Sequence, residues 1–364
     1  MIGLYLHIPF CKSKCAYCDF YSVAKSADDR SRYLDALIGE FSRYRGAAVD
    51  TVYLGGGTPS LLTPQEIEKL LLAVHKNFKV SDGAEITLEA NPADDRKDFF
   101  KSAVAGGANR LSLGVQSSDR DELRLLSRRH RNADVERSVE DARNVGIHNL
   151  SLDLMLGIPN QTERSLLNSI EFLMNFSPQH ISAYMLSLEP GTPLYAARDT
   201  LNLPSAERTA ALYLKTVEIL KNHGFSQYEI SNFSRDGFSS RHNLKYWCLD
   251  DYIGIGPAAH GFLNGRRYCY SRDLDAFLKG PQPIDCGTGG DAEEYMMLQL
   301  RLSKGLSFKD FETRYFKLPP PFFEKAALYE RHGLLKCDNG ALHLTPEGFL
   351  VSNELIAELL ATVF

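Results

Sequence analysis

The chain has 364 residues, 44% of them hydrophobic and 24% charged, with a formal net charge of -5. That length accommodates an α/β barrel of ~250 residues followed by a smaller domain, and the charge balance lacks the basic excess of nucleic-acid binders, so no nucleic-acid partner is expected. No apolar run approaches the ~20 residues of a membrane helix and no signal-peptide pattern opens the chain, so a cytoplasmic protein that is not an integral membrane protein is expected.

Short β-like runs alternate with helical patterns along most of the sequence. Leu4–Ile8 reads as a strand, residues 28–44 as a helix, and Thr51–Leu54 as a second strand. The next helix opens on Thr63-Pro64-Gln65-Glu66, a capping box with proline at the first helical position. Further strands are predicted at Glu85–Ala90, Arg110–Gln116, Asn149–Leu156, His180–Ser187 and Gln227–Phe233, with helices between them. This alternation predicts a parallel sheet with right-handed crossovers, closed or partly closed into a barrel. Residues 235–286 break the rhythm and read as irregular. Helices at 293–302 and 308–315, the Pro319-Pro320-Pro321 punctuation and a hairpin around Leu342-His343-Leu344 then predict a small winged-helix-like domain.

Three of the seven cysteines, Cys11, Cys15 and Cys18, fall just after the first strand. The other four, Cys248, Cys269, Cys286 and Cys337, are scattered singly and read as ordinary thiols, which argues against a disulfide framework. In parallel α/β sheets chemistry collects at the carboxyl ends of the strands. The unusual residues of this chain fall there in turn: the cysteines after the first strand, Gly55-Gly56-Gly57-Thr58-Pro59 after the second, Glu89-Ala90-Asn91-Pro92 ending the third, Gln116 ending the fourth and Asp153 within the fifth.

Cys-x3-Cys-x2-Cys admits two readings. One is a structural zinc site completed by His7. The other is an iron-sulfur cube held by three thiolates, with one iron left open. The pattern after an N-terminal strand resembles the radical S-adenosylmethionine (SAM) superfamily. That resemblance implies a [4Fe-4S] cluster on Cys11, Cys15 and Cys18, SAM chelated at the open iron, and a partial (β/α)6 TIM-like barrel. The string Tyr5-x-His7-Ile8-Pro9-Phe10-Cys11, with GGGTP, LGVQS at 113–117 and SLDLMLGIPNQT at 151–162, is similar to oxygen-independent coproporphyrinogen III oxidase and its relatives, the HemN family. Carried over position by position, the family's SAM contacts would be Tyr5, Gly56 and Glu89. A second SAM or neighbouring ligand would meet Tyr17, Gly57, Thr58, Gln116, Arg128 and Asp153. The implied division is a radical SAM core at 1–234, an irregular connecting segment at 235–286 packed on the barrel, and a mainly helical HemN-type C-terminal domain at 287–364.

Two departures separate the chain from the decarboxylase. Phe20 stands where that enzyme carries a further cysteine, and Tyr5 comes almost at once, without its N-terminal extension. Cys18-Asp19-Phe20 and His242-Asn243-Leu244-Lys245-Tyr246-Trp247 resemble instead the HemW heme chaperones, the latter as their HNxxYW motif. This resemblance implies binding of heme, with His242, or alternatively His260 in the following Gly-Ile-Gly-x-x-Ala-His-Gly segment, as an iron ligand or SAM-pocket residue. It also implies delivery of heme to respiratory hemoproteins, bacterioferritin as a heme source, and self-association as a homodimer. A radical SAM enzyme acting on a porphyrin, by decarboxylation or methylation, is the alternative. Whether SAM is cleaved stays open at this point.

Overall fold

The computed structural model describes residues 1–24, 26–92 and 96–364. Six strands run parallel and in chain order: β1 (Ile2–Ile8), β2 (Ala48–Gly56), β3 (Lys79–Ala90), β4 (Arg110–Gln116), β5 (Asn149–Leu156) and β6 (His180–Met185). The crossovers are helical: α1 (Ala27–Glu40), α2 (Pro64–Asn77), α3 (Lys97–Ala105), α4 (Arg120–Leu125) with α5 (Asn132–Asn144), and α6 (Glu163–Met174). This is the expected partial (β/α)6 arrangement. The capping box of α2 is made in full: the Glu66 amide donates to Thr63 Oγ1 at 3.2 Å and the Thr63 amide to Glu66 Oε2 at 2.7 Å.

The two-residue period of the strands explains why a site can exist at all. Leu4, Leu6 and Ile8, Val52 and Leu54, Ile86 and Leu88, and Leu150, Leu152 and Leu154 are buried against the helices. The intervening positions face the other way, and these carry Tyr5 and His7, Tyr53, Thr87 and Glu89, Arg110 and Ser112, and Ser151 and Asp153. One face of each strand therefore builds the core while the other lines a polar interior.

Beyond β6 the chain departs from the sequence reading. After α7 (Pro193–Ala196) and α8 (Ala206–Asn222), the single strand expected over 227–233 is a hairpin of β7 (Ser226–Glu229) and β8 (Asn232–Ser234), and β8 lies antiparallel to β6. The turn is closed by the Glu229 carboxylate, which accepts from the Ser231 amide and from the Asn232 side chain. Residues 235–286, read as irregular, are ordered: α9 (Arg241–Trp247), β9 (Tyr252–Ile255), β10 (His260–Leu263), β11 (Arg266–Cys269), α10 (Leu274–Lys279) and the start of β12 (Ile284–Thr288). Strand β9 pairs in parallel with β1, and β10, β11 and β12 continue the sheet outward as an antiparallel meander. Strands of four or five residues between glycines carry too little periodicity to be recognised from sequence.

The C-terminal region has α11 (Ala292–Gln299), β13 (Leu306–Ser307), α12 (Phe308–Arg314), α13 (Pro320–Arg331), β14 (Leu335–Asp338), β15 (Ala341–Leu344), α14 (Pro346–Leu350) and α15 (Ser352–Leu360). Its three-stranded sheet, in the order β13-β15-β14, is separate from the large one, giving the helix-plus-hairpin arrangement expected of a winged-helix-like unit. Among the described residues no helix is long and apolar enough to cross a membrane.

Candidate functional site

The cysteine loop begins where β1 ends and is fastened at both of its own ends. The Cys11 amide donates to Val23 O at 3.1 Å and the Val23 amide to Pro9 O at 2.7 Å. Its middle is held from two other loops, by Ala16 N to Leu126 O at 3.2 Å and Leu194 N to Ala16 O at 2.9 Å. Burial raises the Cys18 thiol above its ordinary range, and the neighbouring sulfurs of Cys15 and Cys11 add to that shift, which places all three within electrostatic reach of one another.

A chain of side-chain contacts ties two of these sulfurs to the strand ends. Cys11 Sγ lies 3.5 Å from Thr58 Oγ1; Thr58 Oγ1 accepts from Asn91 Nδ2 at 2.8 Å; Asn91 Oδ1 accepts from Arg128 Nη2 at 2.7 Å; and Arg128 Nη1 reaches Cys15 Sγ at 3.5 Å. Arg128 also donates to the Gly114 carbonyl. The chain thus runs from the cysteine loop through the ends of β2, β3 and β4 and back. Arg128, on sequence the weakest of the candidates because paired arginines suit a solvated helix face, lies beyond the end of α4 and points inward. Asn91 was named in the Asn-Pro punctuation of β3 but not among the site residues. A polar amide at a strand end, beside a glycine loop, was the available signal.

The glycine loop packs on protein. A Cβ at Gly56, whose φ is +97°, would meet the His7 ring at 2.3 Å, and one at Gly57 would lie 2.5 Å from the Ile8 carbonyl. Gly57 N and Thr58 N donate to the Ile8 and Phe10 carbonyls at 2.9 and 2.8 Å, so the loop clamps the last turn of β1. Glu89 accepts from Tyr53 OH at 2.7 Å and from Gly56 N at 3.1 Å. Burial raises its carboxyl to about 7, against the pull of these two donors. Asp153, with Ser112 Oγ at 3.4 Å, is raised to about 6, again chiefly by burial, while Ser182, Arg110 and Arg128 pull the other way.

Tyr17, Arg128, Asp153, Cys15 and Cys18 interact electrostatically, and Glu89 interacts with Asp153 and Tyr5, so these sequence-predicted residues share one region at the strand ends. Tyr17 packs on Leu126, Met155 and Ile158. Gln116 closes β4 in the left-handed region at φ 70°, an uncommon conformation for a side-chain-bearing residue, and its buried Oε1 has no hydrogen-bond partner among the described residues. A strained residue presenting an unsatisfied acceptor fits a site that takes a ligand with a hydrogen-bond donor.

The two histidine candidates are placed apart. His242, in α9, is 0% exposed and packs against the middle of β2 and β3, with its ring centroid 6.5 Å from that of Tyr5. Its Nδ1 is 2.8 Å from Thr51 Oγ1 and its Nε2 2.7 Å from Tyr246 OH. Its backbone amide donates to Glu85 Oε1 at 3.0 Å, and the ring stacks on Tyr53 with centroids 5.2 Å apart. Both ring nitrogens are hydrogen-bonded to protein groups, so the ring of the HNxxYW histidine is held within the barrel wall. His260 opens β10 and is exposed, in the electrostatic range of Arg272, which donates to the Asp19 carbonyl of the cysteine loop at 2.6 Å.

The zinc reading loses its fourth ligand. Donation from His7 Nε2 to the Tyr21 carbonyl at 2.9 Å leaves Nδ1 to accept from Tyr5 OH at 3.0 Å. Among the described residues no three His, Cys, Asp or Glu side chains are gathered around a point that a single ion could occupy.

These buried groups fix a pH dependence of stability. His7, His130 and His242 are lowered to about 4, 3 and 3, and His180 well below 6.5, all by burial, so each of the four takes up a proton on unfolding below about pH 6.5. Glu89, Asp153 and Glu229, raised to about 7, 6 and 7, hold protons in the folded state that the unfolded chain releases down to about pH 4.5. Between about pH 4.5 and 6.5 the two sets nearly cancel. Below about pH 4.5 the carboxyl contribution ends and the histidine term acts alone. Denaturant unfolding of the cluster-free protein is expected to show a shallow dependence above pH 4.5 and a steep loss below it; a uniform slope from pH 6.5 to 3.5 would contradict the placement of these groups.

The comparisons agree with this architecture. Residues 5–173 match the Radical SAM superfamily and residues 291–351 the HemN C-terminal domain. The chain is 35% identical to heme chaperone HemW of Bacillus subtilis, covering 99% of both chains, and 37% identical to heme chaperone HemW of Haemophilus influenzae, covering 85% of each. It is 32% identical to the mitochondrial radical S-adenosyl methionine domain-containing protein 1 of Danio rerio, covering 98% of this chain and 86% of that one. Among solved structures, coproporphyrinogen III oxidase (HemN) from Escherichia coli superposes with a TM-score of 0.84 at 22% identity, covering 98% of this chain and 89% of that one, which shows a shared fold. With a radical SAM core, a HemN-type C-terminal domain and near-full-length identity above 30% to these chaperones, the chain belongs to the HemW family of the radical SAM superfamily.

Proposed function

We propose that the protein is a heme chaperone: it carries a [4Fe-4S] cluster and SAM at the strand ends, binds heme, and passes the heme to hemoproteins. The observation that carries this reading is the exposure of Phe20. The ring that replaces the decarboxylase's further cysteine is 70% exposed, two residues beyond Cys18, on a loop otherwise tied down at several points. A flat aromatic held out to solvent beside the cluster thiols suits contact with a macrocycle and offers no sulfur for porphyrin chemistry.

Cys11, Cys15 and Cys18 would hold the cluster. Tyr5, Gly56 and Glu89 would hold SAM, with Tyr17, Gly57, Thr58, Gln116, Arg128 and Asp153 around a second SAM or neighbouring ligand. When bound, the cluster can supply an electron that opens the sulfonium bond of SAM. The chain's own part is to hold that region dry and positioned. Arg128 fixes Asn91, the Gly114 carbonyl and Cys15 from one guanidinium, and Glu89 keeps the Gly56 amide in place. Respiratory enzymes as acceptors, bacterioferritin as a heme source and self-association as a dimer complete the proposal.

Arg128→Lys is expected to weaken SAM binding at least tenfold in equilibrium dialysis, because a single ammonium cannot reproduce the forked contacts to Asn91, Gly114 and Cys15. Wild-type affinity in that variant would remove Arg128 from the site. The chaperone and enzyme readings separate on 5′-deoxyadenosine. Its formation coupled to consumption of coproporphyrinogen or heme would establish the enzyme reading, and turnover of neither porphyrin supports the chaperone.

A further inference from the structure

Cys269 and Cys286, which stand apart in the sequence, meet in the fold. They lie on neighbouring antiparallel strands at the open edge of the large sheet. Cys269 ends β11 opposite Ile284, and Cys286 follows two residues further along β12, beside the register shift between Arg266 and Tyr268. Their sulfurs are 3.2 Å apart, closer than unbonded sulfurs normally rest, and Cys286 is exposed while Cys269 is half-buried.

The segment between them, residues 270–285, is the strap that braces the cysteine loop. Arg272 donates to the Asp19 carbonyl at 2.6 Å, the Leu274 amide to Tyr21 OH at 2.8 Å, and Tyr270 OH to Glu40 Oε2 at 2.9 Å. Phe277 packs on Tyr33 and Tyr270 with ring centroids 5.6 and 5.5 Å apart. Tyr21 in turn holds His7 through its carbonyl. The two thiols therefore sit at the two ends of a loop whose contacts reach the residues immediately after Cys18.

We propose that Cys269 and Cys286 form a reversible dithiol–disulfide site that fastens this strap to the cysteine loop. The oxidant is a low-molecular-weight disulfide. The exposed Cys286 thiolate attacks one of its sulfurs, forming a mixed disulfide and releasing one thiol; Cys269 then attacks the Cys286 sulfur and releases the second. Two protein thiols are oxidised, one small disulfide is reduced to two thiols, and the protons leave on those thiols. Closing the sulfurs from 3.2 Å to the ~2.05 Å of a bond requires only a small shift at an edge strand that has a partner on one side. With the bond formed, both ends of the strap are pinned, and local opening that releases Arg272 from Asp19 or Leu274 from Tyr21 becomes rarer.

The test uses the cluster-loaded protein, incubated anaerobically with oxidised glutathione, mapped by peptide mass spectrometry and followed by hydrogen exchange. The expected product is a Cys269–Cys286 linkage reversed by excess thiol, with exchange across residues 19–21 and 270–285 slowed at least threefold. Cys269→Ser, its cluster absorbance intact, should instead retain one glutathione on Cys286, and Cys286→Ser should show neither the linkage nor the slowing. A lasting glutathione adduct on the unsubstituted protein, both thiols remaining free to alkylation, or linkage without slowed exchange at 19–21 would each overturn the proposal.

Discussion

A Cys15→Ser protein, reconstituted anaerobically with iron and sulfide, is expected to hold no cluster: its iron content and broad visible absorption fall to background while the fold is kept. The two halves of that expectation rest on different atoms. Serine offers no thiolate, so one corner of the cube has no ligand. Apart from the contact of Arg128 Nη1 with Cys15 Sγ, which a serine hydroxyl can take over, the bonds that hold this part of the loop are made by the backbone, including Cys18 N to Cys15 O at 3.2 Å, and survive the change. Lys12, Ser13 and Lys14 beside it are exposed, so the cluster-free variant should match the cluster-free parent in stability to within about 0.5 kcal/mol. SAM binding should weaken most where it depends on the open iron. Full iron content in this variant would mean that the thiols at 11, 15 and 18 are not the ligand set.

His242→Ala is expected to destabilise the protein by about 3 kcal/mol in the absence of heme. The imidazole fills a sealed position between Tyr53 and Tyr246, and its removal leaves Thr51 Oγ1 and Tyr246 OH buried without their partners. The effect should shrink as pH falls below about 6.5, because burial holds His242 at about 3 and the parent loses the advantage of a neutral ring as the unfolded chain takes up protons. Denaturant midpoints of the two proteins at pH 7 and pH 4.5 measure both statements. Unchanged stability without heme would contradict this account of the buried ring, and any loss of heme binding in the variant has to be weighed against its loss of stability.

The parallel half of the fold was legible because its strands are strongly marked. Strands β4 and β5 run from Arg110 to Gln116 and from Asn149 to Leu156 as expected, each alternating apolar with polar or glycine positions over most of its seven or eight residues, the apolar side buried against the helices. The antiparallel half was not. The reversal at Ile230-Ser231 carries no glycine or proline, and the turn is made by side chains of Glu229 and Asn232 that sequence patterning does not weigh. Strands β9 to β12 are too short to show a period.

The same division holds for the site. The cysteine spacing, the glycine loop and the acidic strand ends are local features, readable one segment at a time. The contacts from Cys11 through Thr58, Asn91 and Arg128 to Cys15 join residues up to 113 positions apart, and only the folded chain reveals them. His242 shows the same limit: a histidine followed by aromatics matches a heme-binding pattern and a packed interior position equally well, and only the folded chain shows the ring buried with both nitrogens bonded.

The most direct test of the central claim is heme transfer itself. Cluster-loaded protein is charged with heme under anaerobic conditions, separated from free heme, and mixed with a heme-free respiratory hemoprotein, whose Soret band is then followed. The expected result is growth of the acceptor band at the expense of the donor band, with the cluster absorption preserved and coproporphyrinogen left unconsumed. No growth of the acceptor band, together with turnover of coproporphyrinogen, would contradict it.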